Sequence, residues 1–328
     1  MQGRFLLNRV EDELKGFIKR RILHKPEKTV SPPAERAEWS IGIYVGESPL
    51  RLAPPDSLEN PVLTYKDVTD VPAMFVADPF MISVKNTWHM FFEVWNQRTQ
   101  RGEIGTATSV DGFTWIYRQI VLAEPFHLSY PYVFEWMGEQ YMLPETQQAG
   151  SINLYKAVEF PTKWSRVRTL MTKPTSEAQL ADPSIFRHDE RWWLFTRTNL
   201  RSEVATLRLY YADDLMGTWH EHPKSPVVKD ERPIARPGGR VLPLPKKSGS
   251  TIIRYAQDGY PVYGSRLRAY EITELTTATY SEHEAAESPV LMGSGIGWNA
   301  SGMHHIDAHL LKDGRWIACV DGWKSVRV

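Results

Sequence analysis

The spacing of apolar residues changes along this chain. In residues 1–30, Phe5, Leu6, Val10, Leu14, Phe17, Ile18, Ile22 and Leu23 recur at helical intervals, opposite Arg4, Lys15, Lys19, Arg20 and Arg21. The spacing predicts a short helix, docked on the rest of the chain or on a second subunit. Its basic face alternatively suits peripheral contact with anionic lipid, although Glu11, Asp12 and Glu13 interrupt it. Residues 30–60 carry Pro32-Pro33 and Pro54-Pro55 around one apolar run, Trp39–Val45. They read as an extended arm holding a single strand.

From Val76 onward the pattern is that of short strands. Val76–Glu93 reads as two apolar strands joined by the turn Lys85-Asn86-Thr87. Asp78 opens the first strand and Glu93 closes the second. A pair joined this tightly is antiparallel, so both carboxylates lie at one edge. The pattern returns at Tyr130–Glu145 and Asp182–Arg197. In each unit the first and last residues are 15 positions apart, and successive starts are 52 apart. Weaker copies begin at Arg236, running to Gln257 or Asp258, and at Asp307, running to Asp321.

Five strand-rich units of about 50 residues indicate radial repetition. The expected fold is all-β: a five-bladed β-propeller over 61–328, preceded by an N-terminal helix and arm over 1–60. The strand Trp39–Val45 is the candidate to complete the last blade. The starts of the five copies, Asp78, Tyr130, Asp182, Arg236 and Asp307, should form a ring at one mouth of the central channel. Glu93, Glu145, Arg197 and Asp321 should join them.

Composition narrows the partners. Lys plus Arg and Asp plus Glu both number 39, so the net charge is zero and bulk attraction to nucleic acid is not expected. Aromatic residues make up 12%, which suits strands and sugar-binding surfaces. The one cysteine, Cys319, excludes a disulfide framework and reads as a buried structural thiol. No early run resembles a secretory leader and none is long enough to cross a bilayer. A cytoplasmic protein is expected, with residues 1–30 able to hold it at the inner membrane face. Gly293–Gly297 has no βαβ context and reads as a loop.

Asp78, Glu145 and Asp182 at one mouth are the groups that glycoside cleavage requires: one carboxyl protonates the leaving oxygen, another activates water or attacks. Asp before Pro also starts strands and caps turns, so a single Asp-Pro carries little weight; two at matched positions carry more. Arg197, Arg236 and Arg240 read either as salt-bridge partners of the acidic ring or as a cradle for a phosphate, carboxylate or sulfate. In His304–His309, the residues His305, Asp307 and His309 share one strand face. Substrate hydrogen bonding or acid–base work is favoured there over a metal, and no cofactor is expected. Trp95, Tyr130, Trp298 and Trp323 suit either sugar stacking or packing between blades.

The blocks Phe75–Phe80, His127–Phe134, Tyr141–Glu145 and Trp192–Phe195 resemble the N-terminal domain of glucosamine inositolphosphorylceramide transferases. That domain is similar to the five-bladed propellers of arabinanases, β-xylosidases and invertases. The resemblance implies Asp78 as base or nucleophile and Asp182 as the residue that orients and tunes. It assigns the general acid to a Glu opening the fourth blade, where this chain has Arg236; Glu145 or Glu93 would then serve as acid, or hydrolysis is lost. Two functions follow as expectations. One is an enzyme acting on a glycosidic bond of a sugar bearing an anionic group, with Glu93, Tyr130, Arg197, Arg236, Arg240, His305, Asp307 and Asp321 around the ligand. The other is a non-catalytic propeller that binds an anionic glycan or glycolipid. The partner in either case is a carbohydrate or sugar phosphate.

Overall fold

A computed structural model describes residues 35–173, 179–198, 205–230, 234–245 and 250–327. The helix expected over 1–30, and any contact through it, lie outside the described residues. Residues Ala37–Val326 form one compact unit built of five sheets. It is a five-bladed β-propeller.

Blade one is Ala73–Val84, Thr87–Asn96, Arg101–Ser109 and Ile116–Leu122, each strand antiparallel to the next. Blade two is Ser129–Trp136, Glu139–Glu145, Ser151–Glu159 and Lys163–Thr172. Blade three runs Ala181–His188, Arg191–Thr198, Ala205–Ala212 and His220–Glu221, with Val228–Asp230 also paired to its third strand. Blade four has a broken inner strand, Arg236–Pro237 and Leu242–Pro245, against Ser250–Asp258; Arg266–Leu275 and Tyr280–Glu284 follow. Blade five takes Ile306–Leu310 and Trp316–Arg327 from the end of the chain and Glu35–Ser48 and Arg51–Ala53 from its start. The early strand therefore completes the last blade, and part of the arm is built into the propeller.

Local sequence explains the repetition. The turns Lys85-Asn86, Met137-Gly138 and Asp189-Glu190 have both central residues at positive φ, the turn geometry that matches strand twist. In each of the first three blades the inner strand carries a bulge just past a fixed pairing: Ala77 with Glu93, Ser129 with Glu145, Ala181 with Arg197. The bulged residue, Asp78, Tyr130 or Asp182, has φ of 52°, 48° or 49° and precedes a proline. Left-handed backbone at a non-glycine residue costs on the order of 1–2 kcal/mol. Three equivalent copies of that strain mark a feature that aims side chains rather than an accident of one loop.

Apolar residues from adjacent blades form the core. Phe80, Phe91, Tyr132 and Leu143 join blades one and two; Ile41, Ile43, Met90 and Phe92 join five and one. Tyr255, Ile306 and Val320 join four and five. Each fully buried large side chain contributes roughly 1.5–3 kcal/mol. Cys319 is buried, its thiol toward the Pro79 carbonyl at 3.1 Å.

Candidate functional site

The matched bulges turn Asp78 and Asp182 into the same channel mouth, where the ends of the second strands add Glu93, Glu145, Gln257 and Asp321. All six are buried. The Asp182 carboxylate is held by Arg236, whose Nε donates to Oδ2 and whose Nη2 donates to Oδ1 at 3.2 Å. Gln257 donates to Asp182 Oδ2 at 3.2 Å, and the Asp182 amide donates to Glu145 Oε2 at 3.0 Å. The same guanidinium stands 3.9 Å from Glu145. Across the mouth, the Asp78 amide donates to Asp321 Oδ2 at 3.0 Å, and His304 Nδ1 donates to Asp321 Oδ1 at 2.8 Å. His304 Nε2 lies 2.8 Å from the Tyr263 hydroxyl and 3.8 Å from Asp78 Oδ1. Trp39 stacks on the His304 ring with centroids 4.2 Å apart.

This arrangement divides the carboxyls. Burial raises Glu93, and the charges of Asp78 and Glu145 add to the effect. Burial also raises Glu145, with the Asp182 charge reinforcing it. Asp182 is lowered: burial opposes ionisation, but Arg236 outweighs it. Asp321 is lowered likewise, by His304 against the effect of burial. Asp78 lies between, raised to about 7 by burial with His304 pulling the other way. His304 is raised, because Asp321 overcomes the cost of burying its charge.

Among the described residues, four buried polar atoms at the mouth have no hydrogen-bond partner: Asp78 Oδ1, Gln257 Oε1, His305 Nδ1 and Arg197 Nε. His305 donates through Nε2 to the Pro79 carbonyl at 3.0 Å, leaving Nδ1 as an acceptor 3.9 Å from Asp78 Oδ1. Burial lowers His305 to about 4, so the ring is neutral. Two facing acceptors fit a group that donates twice, a water or a sugar hydroxyl. Arg197 is lowered by burial and by the nearby positive charge of Arg236. Asp78, His304 and Asp321 offer one ligand atom each within 4.8 Å, the donor set a cation would find here; both His304 nitrogens are already engaged, by Asp321 and Tyr263.

Several residues sit elsewhere than the repeat spacing predicts. Asp307 does not join the mouth ring. It accepts from the Met81 amide at 2.6 Å and from Arg240 Nε at 2.5 Å, with His309 at 3.0 Å. Blade five lacks the bulge and pairs Ile306 directly with Val320, so counting from an Asp misplaces its start; His304 and His305 occupy the mouth instead. Arg240 accordingly pairs with Asp307 rather than standing beside Arg197 and Arg236, and it also donates to the Val133 carbonyl at 2.8 Å. Tyr130 plugs the channel beneath the ring. It is fully buried, its hydroxyl 2.8 Å from Ser184 Oγ and accepting from the Gly239 amide at 2.8 Å. Trp298 packs against Gly42 and Gly322. Trp323 donates to the Gly264 carbonyl at 3.0 Å, and Trp95 stacks on Phe75 at the blade-one rim. Asp258 is buried and pairs with Arg266 and Arg268.

Sequence reasoning misses Tyr263, His304 and Trp39. Tyr263 comes from the loop 259–265 and outside any repeat. Its ring lies 5.2 Å from the Arg236 guanidinium carbon, and its hydroxyl is pushed up by burial while Arg236 pulls it down. The signal for it in the sequence is the pair of tyrosines, Tyr260 and Tyr263, in the loop that follows the strand Ser250–Asp258.

A profile of the family described as glucosamine inositolphosphorylceramide transferase 1, N-terminal, matches residues 32–323. The chain is 36% identical over 315 residues to glucosamine inositolphosphorylceramide transferase 1 of Oryza sativa subsp. japonica, covering 88% of this chain and 40% of that protein. It is 35% identical over 304 residues to the Arabidopsis thaliana protein of the same name, covering 87% and 39%. The chain thus spans about two fifths of the length of these relatives. Among solved structures, a thermostable family-43 glycoside hydrolase matches with a TM-score of 0.55 at 12% identity, over 76% of this chain and 89% of that one. The catalytic domain of a Coprinopsis cinerea GH62 α-L-arabinofuranosidase matches with a TM-score of 0.53 at 11% identity, over 83% of each. At such identity the likeness is one of fold.

Proposed function

This chain belongs to the glucosamine inositolphosphorylceramide transferase N-terminal family, and on that premise we propose that its channel mouth is a carbohydrate-active site for the sugar head of a lipid-linked glycan bearing an anionic group. The relatives are named for an inositolphosphorylceramide, which supplies both the lipid and the anion.

The observation that carries this reading is the splitting of the mouth carboxyls. Groups of one chemical type held in opposite protonation states are the requirement for paired acid and base work. Asp78, raised to about 7, accepts a proton from water or an acceptor hydroxyl seated between its Oδ1 and His305 Nδ1. Glu145, whose proton is held more tightly by burial and by the Asp182 charge, gives that proton to the leaving oxygen. Asp182 stays ionised against Arg236, and its charge keeps that proton on Glu145. Arg197, with its free Nε, takes the anionic group beside Arg236.

One observation favours the non-catalytic alternative. Arg236 stands where the resemblance assigns the acid, and it is bound to Asp182. Aryl glycosides, glycosyl phosphates and glycosylated inositol phosphates, offered to wild type and Asp78→Asn, separate the readings. Turnover that falls on the order of 100- to 10,000-fold in Asp78→Asn supports the enzyme. Calorimetric binding of the same compounds, without turnover, supports the binder. Neither turnover nor binding refutes both.

A further inference from the structure

Eleven large apolar side chains are exposed among the described residues, and five of them belong to two segments at one side of the mouth: Tyr260, Val262, Tyr263, Met292 and Ile296. The first segment is the loop 259–265, which follows the strand that brings Gln257 to the ring. The second is 292–303, which leads directly into His304. The two touch: Gly302 is so close to Gly264 that a Cβ on Gly302 would lie 1.9 Å from the Gly264 carbonyl. Met292 pairs with Arg266, the residue that follows the first loop.

The second segment is fixed at its base and free at its tip. The Ser294 amide donates to the Asn299 carbonyl at 3.1 Å, the Gly295 amide to the Ala300 carbonyl at 3.2 Å, and Asn299 donates to the Tyr44 hydroxyl at 3.2 Å. At Gly295 and Gly297 an added Cβ would meet nothing within 4 Å, so the tip stands clear of the body. Ile296, between them, is 78% exposed. A projecting apolar tip whose base is already tied by hydrogen bonds has less ordering entropy to lose on binding than an untied loop.

Charge distinguishes this surface from the rest. Charged residues make up 24% of the chain, yet 259–265 and 288–303 contain no Asp, Glu, Lys, Arg or His. Arg266 and Lys324 flank the neutral patch, each in an ion pair, with Asp258 and Glu38. Neutral apolar tips with tyrosines match the character of a bilayer interface, where apolar groups enter the headgroup boundary and tyrosine hydroxyls stay at its polar edge.

We propose that this rim docks the channel mouth onto a lipid bilayer, with Val262 and Ile296 inserted at the headgroup boundary and Tyr260 at its polar edge. This deepens the reading of the mouth as a site for a lipid-linked sugar and rests on it: a headgroup still attached to its lipid reaches the acidic ring only if the mouth lies against the membrane.

The full chain is tested by flotation with phosphatidylcholine vesicles and with phosphatidylcholine vesicles containing phosphatidylinositol. Wild type should float, and Val262→Asp with Ile296→Asp should reduce partitioning about tenfold or more. Its melting temperature and its binding of soluble glycosylated inositol phosphates should be unchanged. Ile296→Cys carrying an environment-sensitive fluorophore should shift to the blue on vesicles; Cys319, the one native thiol, is buried. Failure of wild type to float overturns the proposal. So does flotation that the double variant retains, which would place the contact elsewhere, or a concentration-dependent dimer that it abolishes, which would make the rim a contact between copies. Wild type that floats through this rim yet neither binds nor turns over any soluble glycan would refute the carbohydrate reading alone.

Discussion

Arg236 grips both carboxylate oxygens of Asp182, one through Nε and the other through Nη2 at 3.2 Å, and the pair is walled in by Tyr263 and Gln257. Removing one partner of a buried ion pair leaves an uncompensated charge, at a cost of about 3–5 kcal/mol. Arg236→Met should therefore lower the urea midpoint strongly, and Arg236→Met with Asp182→Asn should recover most of the loss. Equal destabilisation in the single and double variants would show that the pair is not the source.

Stability should fall as pH rises through neutrality. Asp78, Glu93 and Glu145 are raised in the folded state, so between their ordinary values near 4 and their folded values the native protein holds more protons than the unfolded chain. The slope of stability with pH is then negative. Asp182 and Asp321, both lowered, act oppositely, and their contribution is lost only as pH drops below about 4. Thermal melts across pH should peak on the acid side, near about pH 5. Asp78→Asn should flatten the decline between about pH 4 and about pH 7. A curve rising steadily from pH 5 to 8 would contradict the assignment.

Arg197→Gln should weaken anionic ligands selectively. Its Nε is unpartnered and its charge faces that of Arg236, so the folded protein loses little without it. Calorimetry should show about a tenfold weaker affinity for glycosylated inositol phosphates, the scale of one charge-assisted hydrogen bond, and no change for the uncharged sugar. An equal loss for both ligands would assign Arg197 to the architecture instead.

Tyr130→Phe should act on stability and not on ligand affinity. The hydroxyl is the acceptor for the buried Gly239 amide, and stranding that donor costs roughly 1–3 kcal/mol. Denaturation curves should show the loss while calorimetric titrations superimpose on those of wild type.

What the sequence reveals here follows from where each residue's position is decided. Asp78, Glu93, Glu145 and Asp182 are placed by strand pairing and by a bulge repeated at a fixed interval, and spacing reads such positions directly. Tyr130 shares the interval but not the outcome, because an aromatic side chain at that bulge reaches past the mouth into the channel. Blade four has a broken inner strand and the inner strand of blade five has no bulge, so the repeat loses its register and Asp307 and Arg240 pair with each other instead of joining the ring. Tyr263 and Trp39 reach the site from a loop and from the opposite end of the chain, by tertiary packing to which no local pattern corresponds. Trp39 meets His304 only because the ring closes.

That closure has a consequence for how the protein is made. The strand Glu35–Ser48 finds its neighbour, Trp316–Arg327, only when nearly all the described chain has been synthesised. On a ribosome it must wait, with one hydrogen-bonding edge open, while four blades assemble behind it. Until the final strand arrives, Trp39 has no His304 to cover and Asp78 no Asp321 to anchor its amide. A prematurely terminated product would thus lack both its seam and its chemistry, even with most of its blades intact.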